Sequence, residues 1–216
     1  MKKTGIMGGT FDPIHKGHVM MGVAAKEQYG LDNVLFMPTG TPAYKMGQRQ
    51  ITDGEHRAAM VQLAISGYDG MEFSDMELRR AGNTYTSDTL QALRRENPDT
   101  EYYYIVGADS IDYMDRWHCP EIIFQNAVIL AAGRCTQTEE HFLQTIDFLK
   151  NKYGADIRVL DMPQVPVSSS FLRENICQGE DITEWLPDGV LEYIRCKKLY
   201  LPVTKAYVDK SSDSPC

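Results

Sequence analysis

Short apolar runs alternate with amphipathic stretches from one end of the chain to the other. Thr4 to Met7 is the first apolar run and predicts a core strand; Gly17 to Tyr29 after it has helical character. Val34 to Met37 is a second run, closed by Pro38. From Asp53 to Ser66 the residues Ala59, Met60, Leu63 and Ala64 recur at helical spacing, behind Thr52 or Asp53 as N-cap. Met71 to Leu78 alternates imperfectly and is expected to be a strand. Ser87 to Arg95 predicts a helix with Leu90 and Leu93 on its apolar face, ended ahead of Pro98. Tyr102 to Val106, aromatic and β-branched, predicts a strand stopped by Gly107. The unbroken run Ala127 to Ala132 predicts a strand covered on both faces. A helix over His141 to Tyr153, with Phe142, Ile146 and Leu149 on one side, precedes a last core strand over Ile157 to Leu160. Ser168 to Cys177 and Val190 to Cys196 are expected to be closing helices.

Strand–helix alternation of this kind predicts an α/β fold: a doubly wound, Rossmann-like parallel sheet with helices on both faces, in a single domain. Ligands of such sheets bind beyond the carboxyl ends of the strands, where the strand order reverses. The domain is expected to span residues 1–201, with residues 202–216 a polar tail that frays and has no assigned role. A length of 216 residues suffices for one sizeable core, and 43% hydrophobic with 24% charged residues is an ordinary globular balance. The net charge of −8 argues against general nucleic-acid binding, although a local cationic cluster can still take a small anion. Neither a membrane span nor a signal peptide is expected, since no apolar run has the required length. Five scattered cysteines without a C-x-x-C pair read as reduced thiols of a cytoplasmic protein.

Candidate chemistry begins at Gly8-Gly9-Thr10-Phe11-Asp12-Pro13-Ile14-His15-Lys16-Gly17-His18, between the first strand and the first helix. Glycines there let the backbone approach a ligand closely. A helix N-terminus presents unpaired N–H groups and a partial positive charge to an anion. His15 and His18 add hydrogen-bond donors for phosphate oxygens. Two histidines at this spacing could instead begin a zinc site, but a third ligand is needed and only Asp12 is near; no metal held by side chains is expected. Much later, Val167-Ser168-Ser169-Ser170-Phe171-Leu172-Arg173 opens another helix. Hydroxyls in that position are natural caps. Arg173, one turn on from Ser169 and Ser170, adds a guanidinium that grips phosphate with paired donors.

These segments resemble the two signatures of the nucleotidyltransferase superfamily. The first matches G-G-T-F-D-P-x-H-x-G-H throughout, with His15-Lys16-Gly17-His18 as its H-x-G-H element. The second is similar to I-S-S-T-x-[IV]-R, with Val167, Ser170 and Leu172 in place of the Ile, the Thr and the branched residue. Asn83-Thr84-Tyr85-Thr86-Ser87-Asp88-Thr89-Leu90 resembles the T-Y-T-x-D-T-L segment of bacterial nicotinate mononucleotide adenylyltransferases. Gly107-Ala108-Asp109-Ser110, followed by Trp117, resembles their G-x-D-S…W block. The likeness runs from about residue 3 to residue 201.

The resemblance implies adenylyl transfer from ATP to the 5′-phosphate of nicotinate mononucleotide, giving deamido-NAD and pyrophosphate in NAD biosynthesis. Attack would be in line at the α-phosphorus, without a covalent intermediate and with Mg2+ accompanying ATP. It implies His15, His18 and Arg173 as catalytic groups, and Gly8, Gly9, Thr10, Phe11, Lys45, Asp109, Ser169 and Ser170 around ATP. Thr84, Tyr85, Thr86 and Trp117 would hold the mononucleotide. Main-chain N–H groups ahead of a helix suit a pyridine carboxylate, and an indole face suits a pyridine ring. Taken singly, Trp117 reads as well as core, Asp109 as a turn residue or cap, and Lys45 as a solvated loop lysine. The family's P-P-H-K appears here as Pro42-Ala43-Tyr44-Lys45, with Tyr44 in the histidine's place. Alternatives are another superfamily member, such as a pantetheine-phosphate adenylyltransferase or a cytidylyltransferase, and a nucleotide-binding regulator without catalysis. The Thr-Tyr-Thr and Trp blocks argue against the former, and the retained His15, His18 and Arg173 against the latter. No nucleic-acid or membrane partner is expected, and a homo-oligomer is left open.

Overall fold

A computed structural model describes residues 1–42, 51–133, 139–163 and 165–201. The chain runs β1 (Lys2–Gly9), α1 (Lys16–Tyr29), β2 (Asn33–Pro38), β3 (Thr41–Pro42), α2 (Gly54–Ile65), β4 (Met71–Phe73), β5 (Asn83–Thr84) and α3 (Thr86–Glu96). It continues through β6 (Thr100–Gly107), α4 (Ala108–Ile111), α5 (Pro120–Asn126), β7 (Val128–Ala132), α6 (Glu139–Tyr153), β8 (Ile157–Leu160), α7 (Ser169–Gln178) and α8 (Val190–Cys196). Short 3-10 turns cover Met114–Arg116 and Thr183–Trp185.

Six strands form one parallel sheet in the order β4-β2-β1-β6-β7-β8. The chain winds outward from β1 in one direction and from β6 in the other, so the order reverses between these two strands. A crevice opens there, beyond their carboxyl ends. The alternation of strand side chains makes two cores, one on each face. Met7, Val34, Phe36, Tyr103, Ile105, Val128 and Leu130 meet α1, α2, α7 and α8 on one face. Ile6, Met37, Tyr102, Tyr104, Val106, Ile129 and Ala131 meet α3, α5 and α6 on the other. All five residues of β7 are buried, as its unbroken apolar run predicts.

One predicted strand is shorter than expected. β4 ends at Phe73, paired with Phe36, and the chain then turns through residues 74–82. The neighbouring strand ends at Pro38, which has no N–H to extend the ladder. Local bonds from Arg79 N–H to the Asp75 carbonyl and from Arg80 N–H to the Glu77 carbonyl replace it. A second, two-stranded parallel sheet pairs β3 with β5, holding the start of α3 against the chain that follows β2. Sequence reading missed this sheet and α5, although Pro120 in the first turn of α5 is a helix-start signal. Among the described residues no helix is long and apolar enough to cross a membrane. The expectations for Tyr44, Lys45 and the tail 202–216 lie outside the described residues.

Candidate active site

Residues 10–13 leave β1 at the crevice and enter α1 through His15. Phe11 has a left-handed backbone, φ 50°, and its ring is buried, edge-on to His18 at 5.1 Å. Such a backbone costs about 1–3 kcal/mol and persists where surrounding groups impose it. Three side chains do so. Arg57 Nη1 donates to the Thr10 carbonyl at 2.9 Å, Arg173 Nη1 to the Asp12 carbonyl at 2.7 Å, and Ser169 Oγ to the Pro13 carbonyl at 2.9 Å. The ring of Phe11 therefore belongs to the core, which leaves its main chain for any ligand.

The His15 and His18 rings stack at 3.7 Å. The His15 N–H donates to His18 Nδ1 at 3.2 Å, so a neutral His18 carries its proton on Nε2 as a donor. Gly17 permits this stack: a Cβ there would lie 3.1 Å from His15 Nδ1. The helix begins tightly, and a side chain would push the imidazole aside.

The serines that open α7 divide the work. Ser168 caps the helix, accepting from the Phe171 N–H at 3.1 Å. Ser169 reaches Pro13, and Ser170 accepts from Arg173 Nη2 at 2.9 Å. A cavity of about 290 Å³ lies between α1 and α7, beyond β6 and β7. His15 and Gly17 line it from one helix start, Ser168 and Phe171 from the other. Two helix N-termini thus face one space, with N–H groups and positive dipole ends suited to phosphate. Met21, Met162 and Val165 form apolar walls on which a flat base could lie. Sequence reading missed these wall residues, because a methionine on a helix or in a loop gives no signal of its own.

Across β1, on the other core, Gly8 sits beneath Tyr104: a Cβ on Gly8 would lie 2.6 Å from the tyrosine oxygen. That oxygen is 3.4 Å from Thr86 Oγ1, and Trp117 packs edge-on to the Tyr104 ring at 6.2 Å. Tyr85, the N-cap of α3, lies against His118 at 4.2 Å between ring centroids. Thr84, Tyr85, Thr86 and Trp117 are therefore gathered into one aromatic-walled lobe at the start of α3. Tyr104 and His118 were not foreseen. Below this lobe burial pushes the Glu77 carboxyl up, while the Thr89 hydroxyl, donating at 2.8 Å, and Arg80 act against that rise. Asp109 is exposed in the first turn of α4, directly after β6.

Arg57 and Tyr200 were also missed. Arg57 is buried on α2, and burial lowers its pKa against the pull of Asp12. Tyr200 donates to Asp12 Oδ1 at 2.7 Å; burial and the Asp12 charge both push its hydroxyl up. In sequence each looks like any residue of an amphipathic helix or chain end.

A parallel sheet of this order, with two helix N-termini facing a pocket beyond the carboxyl ends of its strands, defines a nucleotide-binding α/β protein. Residues 6–175 match the model of the cytidylyltransferase-like family. A protein of Lachnoclostridium phytofermentans named "Probable nicotinate-nucleotide adenylyltransferase" is 45% identical over 201 residues, covering 93% of this chain and 100% of that one. The protein of that name from Oceanobacillus iheyensis is 35% identical, covering 93% and 97%. The chain belongs to the cytidylyltransferase-like family and, within it, to the nicotinate-nucleotide adenylyltransferases. Plasmodium falciparum nicotinic acid mononucleotide adenylyltransferase, solved in complex with NaAD, shares the fold at a TM-score of 0.75 and 20% identity, covering 93% of this chain and 98% of its own.

Proposed function

We propose that the protein transfers the adenylyl group of ATP to the 5′-phosphate of nicotinate mononucleotide, releasing pyrophosphate and deamido-NAD. The observation that carries this reading is the convergence of the α1 and α7 N-termini on one cavity, with Arg173 bonded to the Asp12 carbonyl and to Ser170 at the start of α7, beside aromatic residues on the opposite core. Relatives named for this acceptor, at up to 45% identity over nearly the whole chain, support its choice.

The acceptor phosphate is already an anionic nucleophile, so the enzyme's work is alignment and charge stabilisation. ATP occupies the cavity between α1 and α7, with its base on the apolar walls. His18 donates from Nε2 toward the phosphates with His15 stacked behind it, and Arg173 balances the departing pyrophosphate. Lys45 would add a further cation. The N–H groups at the start of α3 receive the pyridine carboxylate, and Trp117 with Tyr104 bounds the ring. Mg2+ takes oxygen ligands and gives up its water reluctantly, whereas the imidazoles, N–H groups and guanidinium here are nitrogen groups suited to phosphate oxygens. Mg2+ accompanying ATP would neutralise charge on the triphosphate, and no side chain is assigned to hold it. The thiols of Cys119, Cys177 and Cys196 are free, in keeping with a cytoplasmic setting.

Pyrophosphate release from ATP, measured with a panel of acceptors, tests the reading. Nicotinate mononucleotide should exceed nicotinamide mononucleotide at least a hundredfold in kcat/KM, because a carboxamide NH2 finds no acceptor among clustered N–H donors. Equal use of both would overturn the account of carboxylate recognition. Faster turnover with a pantetheine phosphate, or with CTP and glycerol phosphate, would overturn the substrate assignment itself.

A further inference from the structure

The proposed reaction leaves three polar groups under the phosphate loop unused: the Asp12 carboxylate, the Arg57 guanidinium and the Tyr200 hydroxyl. Asp12 is 1% exposed and Arg57 3%. Tyr200 lies in the turn after α8, where Lys198 and Tyr200 both have left-handed backbones, φ 53° and 62°. Non-glycine residues hold that conformation where tertiary contacts impose it. The Leu199 N–H closes the end of α8 on the Ile194 carbonyl, which accounts for Lys198, and the Tyr200 side chain is held by the hydrogen bond from its hydroxyl to Asp12 Oδ1. Arg57 ties the same loop to its surroundings, donating to the Thr10 and Thr52 carbonyls at 2.9 and 2.8 Å.

Asp12 is also the seat of Arg173, whose Nη1 donates to the Asp12 carbonyl. One residue thus receives Tyr200 through its side chain and Arg173 through its main chain. We propose that Tyr200 is a positioning residue for adenylyl transfer: its hydroxyl fixes Asp12, and through Asp12 it sets where Arg173 meets the phosphates. The proposal rests on the function argued above. A hydrogen bond to a carboxylate is roughly twice as strong as a neutral one, so losing the hydroxyl removes one of the groups that hold the Asp12 side chain and lets the loop shift. A misplacement of about 1 Å at such a site can lower turnover by roughly a hundredfold. The acceptor lobe is built on the other core, from α3, Tyr104 and Trp117, and should be spared.

Tyr200→Phe is made alone and in an Arg173→Ala background, with circular dichroism and thermal melting as checks of folding. Kinetics and calorimetric binding of inorganic pyrophosphate are then measured. Tyr200→Phe should lower kcat at least tenfold and weaken pyrophosphate binding at least fivefold, with KM for nicotinate mononucleotide within twofold of wild type. In the Arg173→Ala background the same change should alter either quantity less than twofold. Wild-type values for kcat and pyrophosphate binding, or equal proportional losses with and without Arg173, would overturn the proposal. Should Tyr200→Phe not fold, Asp12→Asn, which keeps an acceptor oxygen without the full charge, enters the same cycle under the same criteria. A wild-type protein inactive on nicotinate mononucleotide would refute the functional reading alone, because the pyrophosphate measurement still decides the role of Tyr200.

Discussion

His18 accepts from the backbone of His15 through one ring nitrogen, which leaves the other to donate. A donor aimed at developing phosphate charge acts mainly in the transition state, where removing it costs ~3 kcal/mol. His18→Ala should therefore lower kcat about a hundredfold or more, with KM for ATP within a few fold. Turnover within threefold of wild type would remove His18 from the mechanism. Trp117 is half-buried and rests edge-on against Tyr104. If its face carries the pyridine ring, stacking worth ~1–3 kcal/mol is at stake. Trp117→Ala should then raise KM for the mononucleotide roughly ten- to hundredfold and leave KM for ATP nearly unchanged. Equal losses for both substrates, with a lower Tm, would return Trp117 to a packing role.

At the scale of the element, α3 offers a cleaner test than any side chain. Thr86 is its first residue, the position where proline costs a helix least. Tyr85 before it is already extended, φ −122° and ψ 137°, as a residue preceding proline must be. Thr86→Pro thus removes one N–H while the helix stays intact, and Thr86→Ala removes the hydroxyl and γ-methyl but keeps the N–H. If the helix N-terminus recognises the carboxylate, Thr86→Pro should reduce the preference for nicotinate over nicotinamide mononucleotide at least tenfold. Thr86→Ala should change it less than threefold. A larger effect from Thr86→Ala would move recognition from the main chain to the hydroxyl.

For the whole molecule, the site draws on both cores at once. In the proposed site, ATP between α1 and α7 would contact elements packed on one face, while Gly8 and Tyr104 connect that region to the other. A ligand at a hundredfold its Kd stabilises the native state by about 2.7 kcal/mol. For a domain of this size that corresponds to a rise in Tm of roughly 5–10 °C. A non-hydrolysable ATP analogue should produce this shift in a single calorimetric transition. Two transitions, with one unmoved, would show that the two halves of the sheet unfold separately.

How far the sequence speaks differs along the chain. Gly8 to His18 and Ser168 to Arg173 are legible because their geometry is local: a strand end, a tight turn and a helix start are all written within a few residues. The order of strands and helices is legible for the same reason, since each element's burial pattern lies within its own span. Tyr104, His118, Arg57 and Tyr200 were not legible as site residues, for each gains its place from a distant partner. Gly8 lies under Tyr104 because β1 and β6 pair with Ile6 opposite Tyr104, two residues before the glycine in the same alternation. Arg173 meets Asp12 across 161 residues, and Tyr200 meets it across 188. The sequence by itself determined the local donors and the two-faced pattern that calls for a covered parallel sheet. Register, strand order and the docking of the chain end were decided by the tertiary structure, because burying both faces of the sheet at once selects a single arrangement of elements that are individually compatible with many.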